Sequence, residues 1–116
     1  MRTRLEAGFD QFIDVEGRSD ADVALLALVL GIHIAVDLMG FTQDSRPGIF
    51  AHRAAPIQVS YLGYPGTMGA DFIDYLIADQ TVIPREHAGY YTEKIAWLPH
   101  TFQANDSRRT IAGRQF

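Results

Sequence analysis

Ile32-His33-Ile34-Ala35-Val36-Asp37-Leu38 is the stretch whose reading decides the fold. It is β-branched and nearly continuous in hydrophobicity, the mark of a parallel strand covered on both faces. Directly before it, Val23 to Leu30 is built of valine, alanine and leucine, a composition that favours helix. Ser19 is the expected N-cap of that helix, with Asp22 as its capping-box partner. Asp20 and Asp22 suit the positive end of the helix dipole, and Gly31 is the expected stop. The helix is apolar all round, so it calls for cover on more than one side.

Working outward, the rhythm repeats. Upstream, Phe12-Ile13-Asp14-Val15 is a short apolar run broken by Glu16-Gly17-Arg18. Downstream, Met39 to Thr42 ends the first strand, and Ser45 to Arg53 predicts a short helix with Ser45 as cap and Pro47 in its first turn. Ile57 to Leu62 predicts a second strand, Gly63 to Gly69 a glycine-rich loop, and Tyr75 to Ala78 a third strand. Pro84 opens a predicted helix over Arg85 to Thr92, and Lys94 to Leu98 is a last strand closed by Pro99. Strands alternating with helices predict an α/β fold, with a mainly parallel sheet of about four strands flanked by helices.

The 116 residues suffice for one domain, and 47 % hydrophobic with 21 % charged residues excludes a disordered tail, a collagen and a coiled coil. Residues 1–103 form the expected domain and 104–116 a polar, frayed tail. The chain has no cysteine, which excludes a disulfide framework, a thiol nucleophile and cysteine-ligated zinc or iron–sulfur centres. A net charge of −4 lacks the basic excess that binding to a phosphate backbone needs, so no nucleic-acid partner is expected. Neither a signal peptide nor a membrane-spanning run is apparent, so the reading is a soluble, cytoplasmic protein.

Open parallel sheets bind ligands beyond the C-terminal ends of their strands. Two segments fall there: Asp37 to Arg46, and Leu62-Gly63-Tyr64-Pro65-Gly66-Thr67-Met68-Gly69. The glycines let backbone amides approach a sugar or a phosphate oxygen, although a plain turn between strands would read the same way. The spacing fits neither a Walker loop nor G-x-G-x-x-G. His33 shares a strand face with Asp37, the beginning of a dyad or else an ordinary strand histidine. His100, past a strand end, is better placed to meet a ligand, while His52 and His87 read as surface residues on helices. No histidine pair has metal-ligand spacing, so no metal is assigned. Asp71, Asp74 and Asp79 suit a cation or turn capping, capping being the commoner use. Arg46 and Arg53 suit a phosphate or solvent. Asn105-Asp106-Ser107 is a chance match to a glycosylation sequon.

Taken in order, the segments form a longer signature: Gly31 to Thr42, Arg46-Pro47-Gly48-Ile49-Phe50-Ala51-His52-Arg53, Ala55-Pro56-Ile57-Gln58-Val59, Leu62 to Asp71, Asp74 to Asp79, Glu93-Lys94 and Leu98-Pro99-His100-Thr101-Phe102. This string resembles the catalytic region of the protein O-GlcNAc transferase family, bacterial members and plant SPINDLY proteins included, over nearly the whole chain. The resemblance implies a partial Rossmann-like lobe: part of the N-terminal of two catalytic lobes that follow a tetratricopeptide superhelix. It implies transfer of N-acetylglucosamine (fucose in SPINDLY) from a nucleotide diphosphate sugar, here UDP-N-acetylglucosamine, to serine or threonine hydroxyls of acceptor proteins, with no cofactor. Leu62, Gly63 and Pro65 then line the donor-sugar pocket, and Arg46 and His100 lie around the same cleft. The proposed catalytic histidine of the family lies upstream of the matched region and its uridine-binding residues lie in the second lobe, so no catalytic residue is assigned and Met1 is expected to be an internal position of a longer chain.

The string departs from the family at three places. Phe41 stands where many members carry tyrosine or histidine, Gln103 where animal members carry a second aromatic, and His33 where many bacterial members carry aspartate. With one wall of a two-lobed pocket, the chain is expected to lack transferase activity alone. Its uncovered apolar faces are expected to drive self-association, or assembly with a partner chain as a non-catalytic module.

Overall fold

The computed structural model describes residues 2–106 and 112–113. Its elements are α1 (Arg2–Glu6), α2 (Asp20–Val29), β1 (Ile34–Asp37), α3 (Pro47–Ala51), β2 (Ile57–Tyr61), β3 (Tyr75–Ala78), a 3₁₀ turn (Arg85–Tyr90) and β4 (Lys94–Trp97). The four strands form one parallel sheet in the order β1-β2-β3-β4, with Val36 beside Val59, Val59 beside Tyr75, and Tyr75 beside Lys94. The predicted α/β architecture is therefore present.

Local signals act where expected at α2. The Ser19 hydroxyl accepts the Asp22 amide at 3.2 Å and donates to the Asp22 carboxylate at 2.6 Å. At the other end Gly31 has φ 68°, its amide reaches the Leu28 carbonyl, and the Ile32 amide reaches that of Ala27. Those paired bonds are the Schellman closure, which requires a residue that tolerates left-handed backbone.

Elsewhere, tertiary structure overrides the pattern. The short helix begins at Pro47 with Arg46 as N-cap, not Ser45, and no side chain caps it. The segment predicted as a helix over Arg85 to Thr92 is a 3₁₀ turn, and the crossover from β2 to β3 contains no helix. Neither the Arg2–Glu6 helix nor its Arg2–Glu6 ion pair was signalled by an apolar period.

Register sorts the side chains onto two faces. One face carries Asp37, Gln58, Ser60, Leu76 and Ala78, all buried, and Leu76 and Ala78 join Ile83 in the core with Tyr91 and Ile95 against it. The Gln58 amide group donates to the carbonyls of Phe50 and Phe72, so α3 and the crossover lie on this side. α2 stacks on α3 as an outer layer. Right-handed crossovers in a sheet of sequential order all fall on one face. The other face is covered only in part: Val59 is buried on it. There Ile34, Val36 and Ile57 remain 55, 44 and 39 % exposed. β1 is thus not the doubly covered strand its composition predicts. α2 shows the same deficit: Leu25, Leu28, Val29 and Leu30 are exposed.

At the N-terminal ends of the strands, Arg53 forms a hub. Its guanidinium donates to both oxygens of Asp74 and to the carbonyls of Phe72 and Pro56, while Asp74 also accepts the Gln58 amide at 2.7 Å. Burial works to raise the Asp74 pKa, but Arg53 and the Gln58 amide outweigh it and hold the carboxyl below its ordinary 3.8.

Candidate functional site

The five positions that the family resemblance assigns to the pocket follow the C-terminal strand ends. Leu62 and Gly63 follow β2 directly, Pro65 is two residues further on, His100 follows β4, and Arg46 closes the segment after β1. The sheet places these positions across four strands, about 14 Å at three strand spacings. No hydrogen bond among the described residues joins any two of the five.

Buried carboxylates fix the loops that carry them. Asp37, 6 % exposed, accepts the amides of Met39 and Gly40 at 2.9 and 3.1 Å and folds the segment after β1 into an Asx turn. Its acceptor capacity is thus turned to the backbone. His33 lies outside β1 and is exposed, and no His33–Asp37 hydrogen bond forms, so the histidine–carboxylate dyad considered from the sequence is absent. Glu93, 4 % exposed, holds the far end of the glycine loop, accepting the Met68 amide at 2.6 Å and the Thr67 hydroxyl at 2.7 Å. Asp79, 5 % exposed, accepts the amides of Thr81, Val82 and Phe102, each at 2.9 Å.

Between these anchors the glycine loop is tightly set. Leu62 adopts φ 73°, and the Gly63 amide bonds back to the Tyr61 carbonyl at 2.9 Å. A three-residue turn with positive φ at its centre is rare for a branched side chain and costs about 1–3 kcal/mol. It leaves Leu62 partly exposed at the mouth of the strands. Gly63 lies against the Leu38 carbonyl, where a Cβ would collide, and the Tyr64 ring meets Phe41 edge-on at 5.8 Å. The two loops singled out in the sequence are therefore one packed unit.

Arg46 borders a cavity of about 300 Å³ that is also lined by Val36, Asp37, Leu38, Met39 and Asp44. Its guanidinium is already engaged: Nε donates to Asp20 at 2.8 Å and Nη2 to the Arg18 carbonyl at 2.7 Å, so it staples the N-terminal segment to α3. Arg53, the other arginine considered for a phosphate, serves the hub at the opposite end of the sheet. His52 and His87 are exposed, as expected, and Asp74 and Asp79 hold turns and backbone. Among the described residues no group of three histidines or carboxylates is disposed to hold a metal, and no helix is long and apolar enough to cross a membrane.

Asp79 caps a turn, the commoner of its two expected uses, and Asp37 does so in place of pairing with His33, while Glu93 and Tyr61 are contributors that the sequence reading did not assign. Asp37 and Asp79 carried a usable signal, an aspartate with acceptable turn residues two and three positions on. Nothing local marked Glu93 or Tyr61, whose partners are 25 and 41 residues away.

The Asp79 carboxyl is held below its ordinary 3.8 by the Val82 and Phe102 amides, against the cost of desolvation, with Thr81 adding to the effect. Folded-state depression means its contribution is complete above the unfolded pKa and is lost as pH falls through the lower folded value. In a proton titration the Phe102 amide signal should therefore move with a midpoint below 3.8. A midpoint at or above that value would contradict the bonding described.

Fold and geometry together define a parallel α/β lobe with the candidate residues on its strand-end loops. Residues 1–113 match Glycosyl transferase family 41, and the chain belongs to that family. It is 42 % identical over 108 residues to the probable UDP-N-acetylglucosamine–peptide N-acetylglucosaminyltransferase SEC of Arabidopsis thaliana, covering 93 % of this chain and 11 % of that protein. The Caenorhabditis elegans UDP-N-acetylglucosamine–peptide N-acetylglucosaminyltransferase is 51 % identical over 81 residues, covering 70 % of this chain and 7 % of that one. A solved mutant of the Thermobaculum terrenum O-GlcNAc transferase superposes with a TM-score of 0.82 at 36 % identity, covering 86 % of this chain and 19 % of that chain. The chain thus spans a small part of the length of these relatives.

Proposed function

We propose that this chain supplies part of the donor-sugar pocket of a cytoplasmic protein O-glycosyltransferase that moves N-acetylglucosamine from UDP-N-acetylglucosamine to serine or threonine hydroxyls of acceptor proteins. The observation that carries the reading is the strained Leu62–Gly63 turn, packed on the segment after β1 at the C-terminal strand ends. Strain of this kind persists where surrounding structure over-determines it, commonly at ligand clamps. The names of the relatives supply the donor and the peptide acceptor.

In the reaction an acceptor hydroxyl oxygen forms a bond to the anomeric carbon, the bond to the diphosphate oxygen breaks, and the hydroxyl proton is released. Leu62, Gly63 and Pro65 line the sugar side, with His100 and Arg46 at the margins of the cleft. None of these residues is assigned as the base. The diphosphate charge must be met by groups outside this chain, so the isolated chain should transfer no sugar.

Titrating UDP-N-acetylglucosamine into the chain, with UDP as control, tests the pocket. Sugar-dependent NMR shifts at Gly63, Gly66 and His100 are expected. Their absence at millimolar donor would remove the assignment of these residues to a preformed donor wall.

A second reading concerns assembly. The exposed part of the sheet face at Ile34, Val36 and Ile57, together with the exposed apolar side of α2, favours self-association of the isolated chain or docking with a partner chain. Light scattering at working concentration should find a species larger than a monomer; a clean monomer would refute self-association.

A further inference from the structure

His100 stands at the centre of a short arch with both feet on the end of β3. At one foot the Leu98 amide donates to the Ala78 carbonyl at 2.8 Å. At the other the Phe102 amide donates to the next residue, Asp79, at 2.9 Å, and the Phe102 carbonyl accepts the Tyr61 hydroxyl at 2.7 Å. Phe102 is thus gripped on both of its peptide groups by side chains from two neighbouring strand ends. Asp79 is itself braced by the Thr81 and Val82 amides. Only Pro99, His100 and Thr101 span the feet, and Pro99 has a fixed φ. The His100 side chain is exposed and makes no hydrogen bond to any described residue. Its position is therefore set by the two clamps and not by contacts of its own.

We propose that Asp79 and Tyr61 are positioning residues that hold the His100 arch over the strand ends so that its unengaged imidazole meets the donor already in place. The inference rests on the reading of His100 as a donor-pocket residue. Without the clamps, ordering the arch would fall to the binding step and weaken it.

Two variants separate this role from general stability. Tyr61→Phe removes one hydroxyl. Asp79→Asn replaces one acceptor oxygen with an NH₂ group that cannot receive an amide. In the full 116-residue chain, the His100 ring protons and the Thr101 and Phe102 amides of both variants should move towards disordered-chain positions. The Leu76 and Ile83 amides in the core should stay in place. His100 signals identical to wild type in folded Tyr61→Phe would overturn the proposal, and that variant decides alone should Asp79→Asn fail to fold. Where the wild type binds UDP-N-acetylglucosamine, the variants should bind about tenfold more weakly, the scale of one lost hydrogen-bonded restraint. If wild type shows no donor binding at all, the donor-pocket reading fails and this functional proposal falls with it, whereas unmoved His100 signals alongside intact donor binding would sink only the clamp.

Discussion

Gly63→Ala should lower the melting temperature by roughly 5–10 °C, the equivalent of about 1–3 kcal/mol of overpacking in a domain of this size. The new Cβ would be driven into the Leu38 carbonyl, a backbone group that has no rotamer by which to retreat. Either the segment after β1 shifts, breaking the Asp37 bonds to Met39 and Gly40, or the Leu62 turn opens. Both routes disturb the wall proposed for the sugar, so sugar-dependent NMR shifts should vanish along with stability. Gly89→Ala is the matched control, because nothing lies within 4 Å of a Cβ there. Thermal denaturation of the two variants side by side reads the difference. If Gly63→Ala melts with the control, the close approach of the two loops is not a feature of the protein in solution.

That close approach shows what a sequence can and cannot convey. The glycine cluster was visible as a place where backbone needs freedom, and the strand before it was visible as apolar and β-branched. Which glycine is indispensable was not, because the reason lies in Leu38, a residue 25 positions earlier and one strand over. The same holds for the carboxylates. Asp37 and Asp79 stand in turn contexts that can be read locally, yet the bond from Asp79 to Phe102 needs the end of β3 to lie beside the chain leaving β4. The arginines show the reverse failure. Arg46 and Arg53 look alike in sequence, but one borders the strand-end cavity while the other is bound to Asp74 at the opposite end of the sheet. The predicted double cover of β1 failed because local hydrophobicity reports what a strand needs, not what the rest of the fold places against it. The five proposed pocket positions rest on family resemblance and not on spacing, since the glycine spacing matches no general phosphate-binding motif.

Glu93→Ala should release the other end of the same loop. Both carboxylate oxygens are in use, one on the buried Met68 amide and one on the Thr67 hydroxyl, which in turn accepts the amides of Gly69 and Thr92. Deleting the acid leaves a buried amide without an acceptor and cuts Thr67 from its anchor, a loss of about 2 kcal/mol or more. Denaturant unfolding should show that loss as a lower midpoint, and hydrogen exchange should speed at Met68 and Gly69 before it speeds at Leu76. Glu93→Gln keeps one acceptor for Met68 and a polar partner for Thr67, so it should recover most of the stability. Unchanged exchange at Met68 in the alanine variant would show that the amide has another acceptor and that the loop is not held from this side. The comparison with Gly63 is informative because the two sites grip the loop at opposite ends of the sheet. A loop fixed at the Leu38 contact alone could still swing about Pro65, whereas fixation at both ends gives Leu62, Gly63 and Pro65 one arrangement. A sugar pocket gains affinity from such preorganisation without any added contact. Glu93, remote from the five proposed pocket positions, should therefore affect donor binding through loop order, and Glu93→Gln should restore binding and exchange protection together.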